Sequence, residues 1–178
     1  MDIRSGEKYV RDVRRATNFD QPLDKWNVSE VTNMKEMFYG AHAFNQDISG
    51  WDVSKVTDMS SMFYNAAKFD QDISNWDVSK LNSATLSGIF DYSGLSDDNA
   101  KKIWCSWKYK LTDSASKYQL RRTLNRRRAE PNSGSAVKYW EAPKVQSFGK
   151  GYIREDTDCC GDTITLISKI YHITDVFP

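Results

Sequence analysis

Residue types that usually carry catalysis or bind metals are scarce in this chain. Its 178 residues include two histidines and three cysteines. No G-x-S-x-G, H-E-x-x-H, Walker-type or G-x-G-x-x-G motif occurs, so the usual nucleophile elbow, zinc helix and phosphate cradles are missing. The odd cysteine count gives no disulfide framework. No apolar run approaches the ~18 residues of a membrane-spanning helix, and the mean hydropathy is -0.67. The opening MDIRSGEKYVRDVRR is charged and has no apolar core, so no secretory signal is expected in the sequence as given. Leu, Ile, Val and Phe number only 36, near the composition at which disorder sets in. Six Trp, nine Tyr and five Met restore a basis for a folded core, because large side chains bury much surface each.

The net charge of +1 conceals an uneven distribution. Residues 1–100 carry -6, residues 101–128 carry +9 and residues 129–178 carry -2. A basic block between acidic ones suits an electrostatic contact within or between chains, or an anion-binding patch.

A 25-residue period organises the first half. Phe19, Phe44 and Phe69 coincide on it, as do Trp26, Trp51 and Trp76, and Val28, Val53 and Val78. Self-similarity at such a period predicts units that bury apolar faces by stacking on their neighbours. Within a unit, Met59, Met62, Phe63 and Ala66 follow helical spacing behind Thr57 or Asp58 as cap, with Met34, Met37 and Phe38 repeating this behind Thr32 or Asn33. The W-D-V-S stretch beside Ile48, Trp51 and Val53 alternates like a strand. One strand-like step and one helical turn per unit predict an α/β fold, a short leucine-rich-repeat-like solenoid with helical caps.

The pattern W-[DN]-V-S-x-V-T-[DN]-M-x-x-M-F followed by F-[ND]-Q, strongest over residues 19–81, resembles the BspA-like repeat family of bacterial and protist surface proteins. The resemblance implies adhesion or protein binding at the cell surface or outside it, and brings no catalytic residues. After Leu81 two extra residues precede Leu86, Ile89 and Phe90, which stand in for Met, Met and Phe.

The expected organisation is an N-terminal capping helix within 1–18, a repeat array over 19–95, a basic helical cap over 96–128, a linker at 129–136 and a β-rich tail over 137–178. Tyr9, Val13 and Ala16 share one helical face in the first of these, and Ile103, Trp104 and Trp107 share one in the cap. The tail is rich in β-branched residues. The candidate repeat core is Phe19, Trp26, Met34, Phe38, Phe44, Trp51, Met59, Phe63, Phe69 and Trp76.

Outside the repeat the strongest signal is a helix capped by Ser114 or Ser116, with Leu120 and Leu124 inward and Arg121, Arg122, Arg126, Arg127 and Arg128 largely exposed. Favourable interaction with the helix dipole explains such charge without a ligand; an anionic surface or nucleic acid held through residues 117–128 is the functional alternative. Cys105, Cys159, Cys160 and His172 have the number but not the spacing of a zinc site. The E-D-T-D-C-C-G-D turn fails as a calcium loop at its fifth and twelfth positions, Cys160 and Ile167. His42 aligns with Ala67 and reads as a turn residue. The sequon Asn27-Val28-Ser29 aligns with Asp52 and Asp77 and reads as repeat drift. No cofactor, metal or catalytic residue is expected. The sequence points to a non-enzymatic interaction or structural module, a subunit of a larger assembly with protein partners, with a cell-surface adhesion domain and an anion or nucleic-acid binder as alternatives.

Overall fold

The computed structural model describes residues 13–127 in full, with the backbone of two short strands beyond them. The chain divides into two compact units, Met1–Trp140 and Glu141–Pro178. In chain order the elements are α1 (Asp97–Lys110), α2 (Ser114–Arg126), β1 (Glu155–Thr157) and β2 (Thr163–Thr165). The strands pair antiparallel, Glu155 opposite Thr165. Residues 128–154 and the cysteines Cys159 and Cys160 lie outside the described residues, as do the linker and most of the tail and N-terminal helix expected from sequence.

The described residues do not form the expected α/β solenoid with a β-rich tail. Residues 13–127 are helix and coil, the repeat itself contributing turns and a single isolated bridge, Asn33 to Asp58. In the second unit the described residues are two three-residue strands. The reason lies in aspartates within and just before the W-D-V-S stretch. Asp47, Asp52, Asp72 and Asp77 each accept, through Oδ1, the backbone N–H two residues on, from Ser49, Ser54, Ser74 and Ser79. Such Asx turns reverse the chain where a strand would continue. The N–H of Trp51 bonds to Ile48 O at 3.1 Å and that of Val56 to Val53 O at 2.9 Å, closing turns on either side.

The helical turn expected at Met59 is also absent. Its i, i+3 spacing comes from successive turns, Met62 N–H to Met59 O and Ala66 N–H to Phe63 O, both at 3.1 Å. Ser61 and Asn65 between them have φ of 55° and 56°, and Glu36 and Gly40 repeat this one period earlier at 58° and 67°. Left-handed residues cannot continue a right-handed helix.

These turns tie unit to unit. The N–H groups of Met34, Glu36, Phe38 and Gly40 donate to the carbonyls of Asp58, Ser60, Met62 and Tyr64 at 2.8–3.0 Å, and Met59, Ser61, Phe63 and Asn65 donate to Thr85, Ser87, Ile89 and Asp91 at 2.8–3.1 Å. The remaining groups turn inward and form columns of rings. Phe38, Phe63 and Phe90 stack with centroids 5.6 and 5.8 Å apart, Phe19, Phe44 and Phe69 at 6.1 Å, and Trp26, Trp51 and Trp76 at 6.4 Å. At the head of the Phe38 column stands Val13, one period earlier and buried. Burial of such aromatic area is the main stabilising contribution.

The helices close the far end by copying the repeat. Trp107 of α1 stacks on Trp76 at 6.5 Å, although it lies outside the period. α1 is capped by Ser96, whose side chain accepts from Asn99 N–H. α2 is capped by Asp113 rather than by either serine, its carboxylate accepting from the Ser116 N–H; a charged acceptor at the helix start outcompetes a hydroxyl inside the first turn. Thr123 Oγ1 accepts from Phe90 N–H at 2.8 Å and Arg126 O from Tyr92 N–H at 3.0 Å, so α2 supplies the acceptors that a further unit would have offered. Where the chain leaves the array, Gly94 lies so close to the previous unit that a Cβ there would sit 2.2 Å from Ala67 O.

Candidate interaction surface

The arginines of α2 are put to different uses. Arg126 ion-pairs with Asp91 at 3.1 Å, bonds Tyr92 Oη at 3.1 Å and lies over the Tyr92 ring. Arg127 donates to Leu95 O at 3.1 Å, to Leu124 O and to Asp97. Arg122 is exposed and Arg121 half-buried, while Arg128 lies outside the described residues. The five exposed guanidiniums anticipated for an anion site are thus reduced, because Arg126 and Arg127 fasten the helix to the array.

Asp91, which sequence reasoning did not select, is a buried charge. It is 6% exposed, and neither its Oδ1 nor Ser93 Oγ has a hydrogen-bond partner among the described residues. Burial pushes its carboxyl upward, against Thr123 and the Arg126 and Arg122 guanidiniums, which favour the charged form. By the same pairing Asp91 holds Arg126 up. Next to it runs a column of half-buried tyrosines: Tyr39 and Tyr64 stack at 4.8 Å, and Tyr92 meets Tyr64 edge-on at 5.1 Å. Arg14 and Arg15 lie over Tyr39 at the other end. Burial, then the neighbouring tyrosines, raise the Tyr64 hydroxyl. The recurrence of Tyr39 as Tyr64 one period later was the available signal; past the two-residue insertion that position is Asp91, and Tyr92 stands in the place of Asn65, with φ of 62° against 56°.

Other candidates take structural places. His42 is exposed, its Nε2 3.0 Å from Asn65 Nδ2 of the next unit and its carbonyl accepting from Lys68 N–H. Asn27 is exposed and its Oδ1 accepts from the Ser29 N–H and hydroxyl, the same turn that Asp52 and Asp77 make. Cys105 is disulfide-bonded, which removes its thiolate from any metal site. Among the described residues no cluster of His, Cys, Asp or Glu could hold a metal ion.

Of the candidate core residues, Met34, Phe38, Phe44, Trp51, Met59, Phe63, Phe69 and Trp76 are buried, while Phe19 and Trp26 at the head of their columns are only partly so. The outer surface repeats as regularly. Asn27, Asp52 and Asp77 form one exposed row and Glu30, Lys55 and Lys80 another, with Lys55 Nζ 2.6 Å from Glu30 Oε1. Asp52 and Asp77 are held below the ordinary carboxylate value, chiefly by Ser54 and Ser79.

This repeat carries a family signature. A family model described as "Mycoplasma protein of unknown function, DUF285" matches residues 10–102. The chain belongs to that family. The DUF285 match takes in the turn-built array and the first residues of α1, and ends before Ile103 and Trp107 close the columns. No curated protein and no solved structure gives a significant match to the chain. Among the described residues no helix is long and apolar enough to cross a membrane.

Proposed function

We propose that the chain is a non-enzymatic protein-binding or structural module that works as a subunit of a larger assembly. The observation that supports it best is the pair of exposed rows Asn27/Asp52/Asp77 and Glu30/Lys55/Lys80, presented in register over a rigid stack of rings. Equivalent groups repeated along an axis suit broad, shallow contact with protein. The test is capture of a partner from the source material by the intact chain, repeated with Lys55→Glu and Lys80→Glu together, both exposed and outside the turns' hydrogen bonds. The reading expects the same melting temperature and loss of the partner. A monodisperse monomer with no captured partner, or capture indifferent to the rows, would overturn it.

A second reading, the cell-surface adhesion domain of the BspA-like resemblance, is favoured by the disulfide at Cys105, since disulfides persist in oxidising compartments outside the cytosol. Protease treatment of intact cells separates the two: loss of the protein from unbroken cells supports surface display, and full protection counts against it.

A further inference from the structure

Opposite to the backbone ladder from Met34 to Gly40, whose N–H groups donate forward, the bonds on the Gln, Asx and Trp side of the repeat run backward to the preceding unit. Gln46 Nε2 donates backward to Asp20 O and Oδ1 at 3.1 and 2.8 Å. Gln71 does the same to Asn45 at 2.7 and 2.8 Å, and Asn99 of α1 to Asp70 at 3.0 and 2.9 Å. The indole N–H groups of Trp51, Trp76 and Trp107 donate backward to the carbonyls of Leu23, Ile48 and Ile73 at 3.4, 3.2 and 3.2 Å. The backbone N–H groups of Asn45, Asp70 and Ser96 reach back to Oδ1 of Asp20, Asn45 and Asp70. Each junction is therefore a row of donors facing an Asx residue and the carbonyl of an aliphatic residue three positions later.

Gln21 and Trp26 hold the first of these donor positions, and among the described residues nothing accepts from the side chain of either. Phe19 and Trp26, whose column mates are buried, are also only partly covered there. We propose that this edge of the array binds, in trans, an extended segment of another protein chain with the pattern [DN]-Q-x-[IL], whose Asx side chain and carbonyls pair with Gln21 and Trp26. The proposal rests on the protein-binding reading and specifies its partner. The complement is shown three times inside the molecule, at the junctions following Asp20, Asn45 and Asp70. A second copy does not supply the complement: edge to edge, Gln21 and Trp26 would meet their own counterparts, and the matching acceptors at Asp70 and Ile73 already serve Asn99 and Trp107. Addition of an extended chain to an edge is an established recognition mode, with main-chain bonds giving affinity and side-chain pockets giving selectivity.

The test uses the intact chain labelled with 15N at its indoles and a blocked peptide with the sequence of residues 44–56. The Trp26 indole signal, assigned with Trp26→Phe, is expected to move downfield and saturate. Gln21→Ala, an exposed substitution that leaves the melting temperature unchanged, should weaken binding at least tenfold. A peptide with Leu replacing its Asn should lose as much. No Trp26 shift at millimolar peptide, equal binding by both peptides, or indifference to Gln21→Ala would each overturn the proposal. If the peptide fails while the natural partner is still captured by Gln21→Ala, the edge assignment falls and the broader binding reading stands.

Discussion

At the scale of single residues the columns make sharp demands. Trp51 lies between Trp26 and Trp76, is 7% exposed and donates to Leu23 O. Trp51→Ala removes a ring from the middle of a stack whose neighbours cannot close the gap without breaking the period. A loss of about 3–5 kcal/mol is expected in denaturant unfolding. Trp51→Phe, which keeps a ring but gives up the indole bond, should cost less.

Asp91 makes a different prediction. Arg126→Ala leaves its buried carboxylate without the nearest cation. Because Arg126 is partly solvent-exposed, the expected loss at neutral pH is moderate, about 2 kcal/mol. The sign with pH follows from a folded-state value already raised by burial. The penalty of the charged form is present above that value and disappears as pH falls through it, since the neutral acid needs no cation. The difference in stability between Arg126→Ala and the parent should therefore shrink as pH is lowered from 7 toward 4. A constant or widening gap would show that Arg126 acts through packing alone.

At the scale of elements, α2 is an acceptor surface as much as a helix. Thr123→Val keeps the shape but leaves Phe90 N–H, which is buried, with no acceptor. The expected cost is about 1–3 kcal/mol, with faster hydrogen exchange at the Phe90 amide and recovery in Thr123→Ser. Only some of this organisation is legible in sequence. Where one residue type recurs at a fixed period, as in Phe44 and Phe69 or Trp51 and Trp76, periodicity carries the environment, because stacked positions share it. Trp107 escapes the period, since the helix that holds it advances differently from a turn-built unit. The strand reading failed on the [DN]-x-S steps at Asp47, Asp52, Asp72 and Asp77, where side chains bond the backbone and mimic alternation. The helical reading failed at Ser61 and Asn65, because apolar spacing does not reveal the sign of φ. Among the arginines, the charge is legible in sequence but not the partners, which for Arg126 and Arg127 include residues 34 and 30 positions away.

Across the whole molecule the turn carboxylates set the response to acid. Asp20 is held below the ordinary value near 3.8 by the Asn45 N–H and Gln46, Asp47 by Ser49, and Asp77 by Ser79. A depressed folded value contributes stability that is present above the unfolded value and lost as pH falls through the folded one. Thermal stability should therefore change little from pH 7 to about 5 and decline below about pH 4, as the Asx turns lose their charged acceptors. Retention of the melting temperature at pH 2.5 would show that the columns hold the units together without these turns.

The fixed register of the junction bonds also bears on how such a molecule changes length over generations. Gain or loss of one full period in the coding sequence puts a donor row against an acceptor row again, and α1 and α2 close the new end as they closed the old. A change of any other size leaves Gln and Trp donors out of phase with the carbonyls and rotates the columns away from one another. Inherited variation in the array is therefore expected in whole-period steps, with the helical end unchanged, and a sequenced set of relatives can be inspected for it.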